Sequence, residues 1–147
     1  MVQGVPTTRA ASICTSATTV LRDPDYSGKQ IHEPASVVLR MAPSFLRFGS
    51  FEICKTADRS NTGEPGPSAG QETVVHQLAD YVICQHFPHA ARYTDSNGQL
   101  TGKAYVTFYR TVVESTAKLL AKWQCTGFCH GVMNTDNMSI LGLTLGM

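Results

Sequence analysis

The chain has 147 residues, of which 42% are hydrophobic, and a formal net charge of +1 from 12 basic and 11 acidic side chains. That composition is ordinary for a water-soluble globular chain and excludes disorder as the default reading. The near-zero charge and the lack of any Lys or Arg run exclude a polyanion-binding surface, so neither a nucleic-acid nor a membrane partner is expected.

No apolar run approaches the roughly 20 residues of a membrane span, and residues 1–16 lack the apolar centre of a secretory signal. The first acidic residue is Asp23, and the Ser- and Thr-rich stretch before it carries Arg9 and Arg22, a faint likeness to an organellar transit peptide. Ile13, Val20 and Leu21 read better as strand residues. Five cysteines (Cys14, Cys54, Cys84, Cys125, Cys129) at irregular spacing argue against a secreted disulfide framework and for a reducing compartment. Cys125 and Cys129 have three residues between them, and no second ligand pair follows at zinc spacing. The cysteines are therefore expected to be small buried hydrophobes.

In chain order, Ser12–Thr15, Thr18–Arg22 and Ser36–Met41 are short β-branched runs, with the turn-forming Asp23–Gly28 between the last two. They predict an antiparallel sheet fragment. Pro43 ends the third run, and Ser44 is placed to cap a helix carrying Phe45, Leu46, Phe48, Phe51 and Ile53, which Gly49 weakens by about 1 kcal/mol. Residues 58–71 are almost devoid of apolar side chains and predict a mobile loop. Val74, Val75, Leu78, Tyr81 and Val82 then form the stripe of one helix, ended before Pro88. A longer helix places Val106, Tyr109, Val113, Thr116, Leu120 and Trp123 at alternating steps of three and four, a stripe expected to be buried.

The chemistry-bearing segment follows that helix, over residues 130–142. Protein kinases carry H-R-D-x-x-x-x-N, in which Asp accepts the substrate hydroxyl proton and Asn, seven positions after His, binds magnesium. Here Asn137 lies seven after His130, but the Asp position is taken by Val132, which can neither accept a proton nor orient a hydroxyl. Ordinary kinase catalysis is disfavoured. An acid reappears at Asp136, beside the candidate metal ligand, although an Asn-Thr-Asp-Asn run in a loop is more often local turn chemistry. Arg40, at the end of the third strand, and Arg47, in the helix after Pro43, are either solvated arginines or a fork for phosphate oxygens.

Three blocks, Gly4–Ala10, Val38–Glu52 and Trp123–Thr144, resemble consecutive blocks of the selenoprotein O family, in family order and covering the chain from about residue 4 to 145. The resemblance implies an α+β chain that is part of a protein-kinase-like (pseudokinase) fold. Residues 1–43 would be the end of the β-rich small lobe. Residues 44–147 would be the hinge, first helices and catalytic loop of the helical large lobe.

It also implies an ATP-dependent transfer of AMP to Ser, Thr or Tyr hydroxyls of protein substrates, with the nucleotide flipped relative to kinases. Arg40 and Arg47 would then hold the terminal phosphates, Asp136 would accept the proton, and Asn137 would bind magnesium, or manganese in its place. Localisation would be mitochondrial, or cytosolic if the chain is made as given.

Two departures accompany the resemblance. The family's phosphate-binding Lys and its partner Glu lie upstream of the Gly4 block, and Gly146 stands where the family's second metal-binding Asp is expected. The chain alone is therefore expected to be inactive. The alternatives are a phosphotransferase of the aminoglycoside-kinase sort, which expects Asp at the position of Val132, and a non-catalytic fragment.

Overall fold

The computed structural model describes residues 4–56 and 65–145. They form an α+β arrangement that divides into two units, Thr8–Pro43 and a second one comprising the residues up to Thr7 together with those from Ser44 onward.

The first unit is a hairpin of β1 (Arg9–Arg22) and β2 (Ile31–Met41), paired antiparallel from Arg9↔Met41 to Arg22↔Ile31. The two runs predicted at Ser12–Thr15 and Thr18–Arg22 are one continuous strand. Its register slips between Thr15 and Thr19, opposite Ser36 and Pro34. Pro34 has no N–H for the ladder, so β2 tolerates it where the pairing is already broken. The predicted turn is built around Asp23, whose carboxylate accepts hydrogen bonds from the Ser27 and Gly28 N–H groups at 3.0 and 2.6 Å. The bond from the Ser27 N–H is the main cause that holds this carboxyl below the usual carboxylate range.

The second unit departs from expectation at its start. The segment after Pro43 is not a helix capped by Ser44. It is extended as far as Arg47 and then forms a 3-10 segment, Phe48–Cys54. The Ser44 hydroxyl accepts a hydrogen bond from the Leu46 N–H only, at 3.1 Å. Backbone pairing explains the difference. Phe48 N–H donates to Met138 O (2.9 Å) and Ile140 N–H donates to Leu46 O (3.3 Å), so these groups are engaged in a bridge and cannot close helical turns.

Of the loop expected at 58–71, residues 58–64 lie outside the described residues. Gly66, Ser68 and Gly70 donate backbone hydrogen bonds to Lys55, Ile53 and Cys54 carbonyls at 2.9, 2.9 and 3.2 Å. That stretch is anchored to the end of the 3-10 segment.

Three helices follow: α1 (Glu72–His86), α2 (Pro88–Ala91), which opens on its proline, and α3 (Gly102–Cys125). The core is Val82, Ile83, Phe87, Ala90, Val112 and Ile140, with Leu46, Phe48, Phe51 and Phe108 packed against it. Phe87 and Phe108 meet edge to face with ring centroids 4.9 Å apart.

The stripe predicted on α3 is only partly the buried one. Val112, Leu119 and Trp123 are buried, whereas Val106, Tyr109 and Val113 are exposed. In α1, likewise, Tyr81 is exposed and Ile83 is fully buried. Both helices carry apolar residues on two adjacent faces, and spacing alone does not say which face meets the core. On α3 the outer face, with Phe48, Phe51 and Ile140, lines an open apolar groove of about 590 Å³. The cysteines also depart from expectation: Cys14, Cys84, Cys125 and Cys129 are exposed and Cys54 is half-buried.

Between α1 and α3 the Tyr105 hydroxyl donates a hydrogen bond to the Asp80 carboxylate, which, with burial, pushes the phenol up to about 12. A phenol protonated more tightly in the folded state than in the unfolded one stabilises the fold below about pH 10. That contribution is lost as pH rises through the folded value. Thermal melts of the intact protein should therefore show a stability gap between wild type and Tyr105→Phe that closes between pH 10 and about 12. A gap constant across that window would contradict a stabilising Tyr105–Asp80 hydrogen bond.

Candidate functional site

The loop after α3 is held from three directions. At the helix end, Thr126 donates its hydroxyl to the Trp123 carbonyl (3.0 Å), and Gly127 takes the left-handed conformation (φ 69°) that turns the chain back. The Trp123 indole N–H donates to Thr144 Oγ1 (3.0 Å), and that hydroxyl donates to Pro6 O (2.8 Å). The Thr144 N–H donates to the same carbonyl at 2.9 Å. Within this second unit, residues near the start of the chain thus close over the residues that follow the loop.

His130 is the internal anchor. It is 3% exposed and stacks on Trp123 with ring centroids 5.2 Å apart and planes 25° from parallel. Its Nε2 lies 3.1 Å from Leu145 O, and its Nδ1 accepts from the Val132 N–H at 3.3 Å. One neutral tautomer, protonated on Nε2, satisfies both partners.

Beyond Val132, whose side chain is exposed, the loop closes in a short 3-10 turn, Thr135–Asn137. Asn137 N–H donates to Asn134 O (3.0 Å), and the side-chain amide nitrogen donates to Val132 O (3.1 Å). The amide nitrogen is thus engaged within the loop, which leaves the amide oxygen as the atom suited to a cation. Met138, Ser139 and Ile140 are buried, and Ser139 bridges antiparallel to Arg47.

Arg47 therefore reaches this loop. Its Nη1 donates to the Asp136 carbonyl oxygen at 3.1 Å, and its N–H donates to Ser50 Oγ at 3.1 Å. Gly49 lies so close that a Cβ built on it would stand 2.6 Å from Asp136 Oδ1. Three of the four residues singled out from the sequence, Arg47, Asp136 and Asn137, belong to one neighbourhood, with Arg47 and Asp136 exposed. Arg40 belongs to the hairpin unit, in β2 opposite Ala10. Gly146, where the family resemblance expects an Asp, lies outside the described residues.

The donor set is an amide oxygen with a neighbouring carboxylate, and hard divalent cations take such oxygens. The guanidinium is suited to phosphate oxygens. Among the described residues no group of three or more His, Cys, Asp or Glu side chains clusters at metal-binding distance.

The family model described as protein adenylyltransferase SelO matches residues 1–147. The chain belongs to this family. It is 51% identical over 144 residues to the mouse protein adenylyltransferase SelO, mitochondrial, and 52% identical to the human protein of the same name. It is 43% identical over 143 residues to the protein nucleotidyltransferase YdiU of Cytophaga hutchinsonii. Each match covers 97% of this chain, and 21%, 21% and 24% of the respective relative. The chain therefore spans about a fifth to a quarter of the length of the curated relatives it matches.

Two contributors within this SelO segment carry little signal of their role in the sequence. In the sequence Gly49 marks a weak point in a helix, although a glycine inside an apolar run is also the signal of a close backbone approach. His130 served only as a marker of spacing, and its stacking on Trp123 joins two residues whose pairing no periodicity announces.

Proposed function

We propose that the full-length protein carrying this segment transfers AMP from ATP to Ser, Thr or Tyr hydroxyls of proteins. The observation that carries this reading is the Arg47 side chain seated on Asp136, next to Asn137, in a chain of the SelO family. In this proposal the acceptor hydroxyl oxygen bonds to the α-phosphorus as its proton passes to Asp136. The bond from the α-phosphorus to the bridging oxygen breaks, and pyrophosphate leaves. Arg40 and Arg47 hold the terminal phosphates, where guanidinium charge stabilises the leaving group. Asn137, with Asp136 beside it, holds magnesium or manganese, which when bound neutralises phosphoryl oxygens.

In the same reading residues 1–43 are the end of the small lobe and residues 44–147 the hinge and opening of the large lobe of a kinase-like fold; the hairpin, Thr8–Pro43, lies within the first, while the residues up to Thr7 group with the helical unit. Localisation is mitochondrial, by the names of the mouse and human relatives. A phosphotransferase of the aminoglycoside-kinase sort fits less well, because Val132 supplies no carboxylate where that chemistry needs one.

The test uses a full-length chimaera in which residues 4–145 replace the matching ones of the mouse relative, which keeps its own residue at the position of Gly146. Arg40→Ala and Arg47→Ala should each weaken ATP use about 10- to 150-fold, the equivalent of one charge-assisted hydrogen bond of about 1.5–3 kcal/mol. Steady-state kinetics in ATP checks this. Unchanged turnover and KM in both variants would remove the arginines from the site.

A further inference from the structure

We propose that Gly49 is a positioning residue for AMP transfer: its missing side chain is the space in which the Asp136 carboxylate rests. The inference builds on the role given above to Asp136. Gly49 is not among the residues with a left-handed backbone, so conformation alone does not demand glycine there. The demand is steric. A Cβ would stand 2.6 Å from Asp136 Oδ1, and about 3.4 Å from the Thr135 carbonyl carbon and hydroxyl.

The loop cannot retreat as a body. Its backbone is tied to the segment before Gly49 by the Arg47–Ser139 bridge, by Phe48 N–H to Met138 O (2.9 Å), and by Arg47 Nη1 to Asp136 O (3.1 Å). The group free to move is the carboxylate itself, at the end of a short side chain. A methyl group at position 49 therefore turns the proton acceptor away while leaving the fold and the phosphate contacts in place.

In the full-length chimaera, Gly49→Ala should lower kcat for AMP transfer by roughly 10- to 100-fold, as a misplacement on the order of 1 Å does. KM for ATP and the melting temperature should stay near wild type. The decisive readout is a double-mutant cycle, because with Asp136→Ala the methyl group has nothing to displace. Gly49→Ala should then have no further effect on the residual rate. An equal loss in both backgrounds, or a Gly49→Ala enzyme with wild-type kcat beside an inactive Asp136→Ala, would overturn the role of Gly49 alone. Near-normal transfer by Asp136→Ala would overturn the role of Asp136, and the role of Gly49 with it.

Discussion

Asp136→Ala in the full-length chimaera is expected to lower AMP transfer by about 10²- to 10⁴-fold, the usual contribution of a positioned general base. The carboxylate is exposed, so its removal leaves no buried charge unpaired, and the loop keeps the backbone bonds that define it. Those are Asn137 N–H to Asn134 O, Phe48 N–H to Met138 O and Ile140 N–H to Leu46 O. The loss should therefore fall on kcat without loss of the fold. Asn137→Ala should also lower activity, by removing a metal-facing oxygen together with the amide bond to Val132 O. Transfer rates measured at saturating ATP check both. If Asn137→Ala were impaired while Asp136→Ala transferred AMP normally, the carboxylate would belong to local turn chemistry and not to proton transfer.

The second large effect concerns the isolated polypeptide. Residues 1–147, expressed alone, are expected to show no cooperative thermal unfolding and no AMP transfer. The hairpin leaves Ile13, Val20, Leu21, Val37, Val38 and Leu39 about half exposed or more, and a two-stranded hairpin by itself is marginal in water. Among the described residues of the other unit the large side chains under 2% exposed are Ile83, Ile140 and Val82, and the outer face of α3 stays open. So small a core does not offset the conformational entropy of ordering the chain. Calorimetry of the purified segment checks this. A sharp transition accompanied by AMP incorporation would show that the segment needs no partner layer.

What could be read in the sequence follows from the range of the forces involved. Turn chemistry acts locally, so Asp23–Gly28 was placed correctly and its mechanism, an Asp accepting from N–H groups ahead of it, matches the observed bonds. Helix periodicity located α1 and α3 but not the face they bury, because Val106, Tyr109 and Val113 keep the same spacing as side chains that do reach the core.

The helix expected after Pro43 failed for a non-local reason. Its backbone groups pair with residues some 90 positions away in sequence, as the bond from Arg47 to Asp136 also does. Of the candidate site, residue types and the spacing of His130 and Asn137 were legible. The approach of Gly49 to Asp136 was not, since a steric vacancy has no signature beyond the glycine itself.

The proposal rests most directly on which phosphorus of ATP reaches the protein acceptor. The full-length chimaera should be incubated with an acceptor protein and ATP labelled at the α- or, separately, the γ-phosphate, with the Asp136→Ala variant in parallel. The account predicts covalent label from α-labelled ATP, none from γ-labelled ATP, and loss of the α-label in Asp136→Ala. Transfer of the γ-label would contradict it and assign the segment to phosphotransfer.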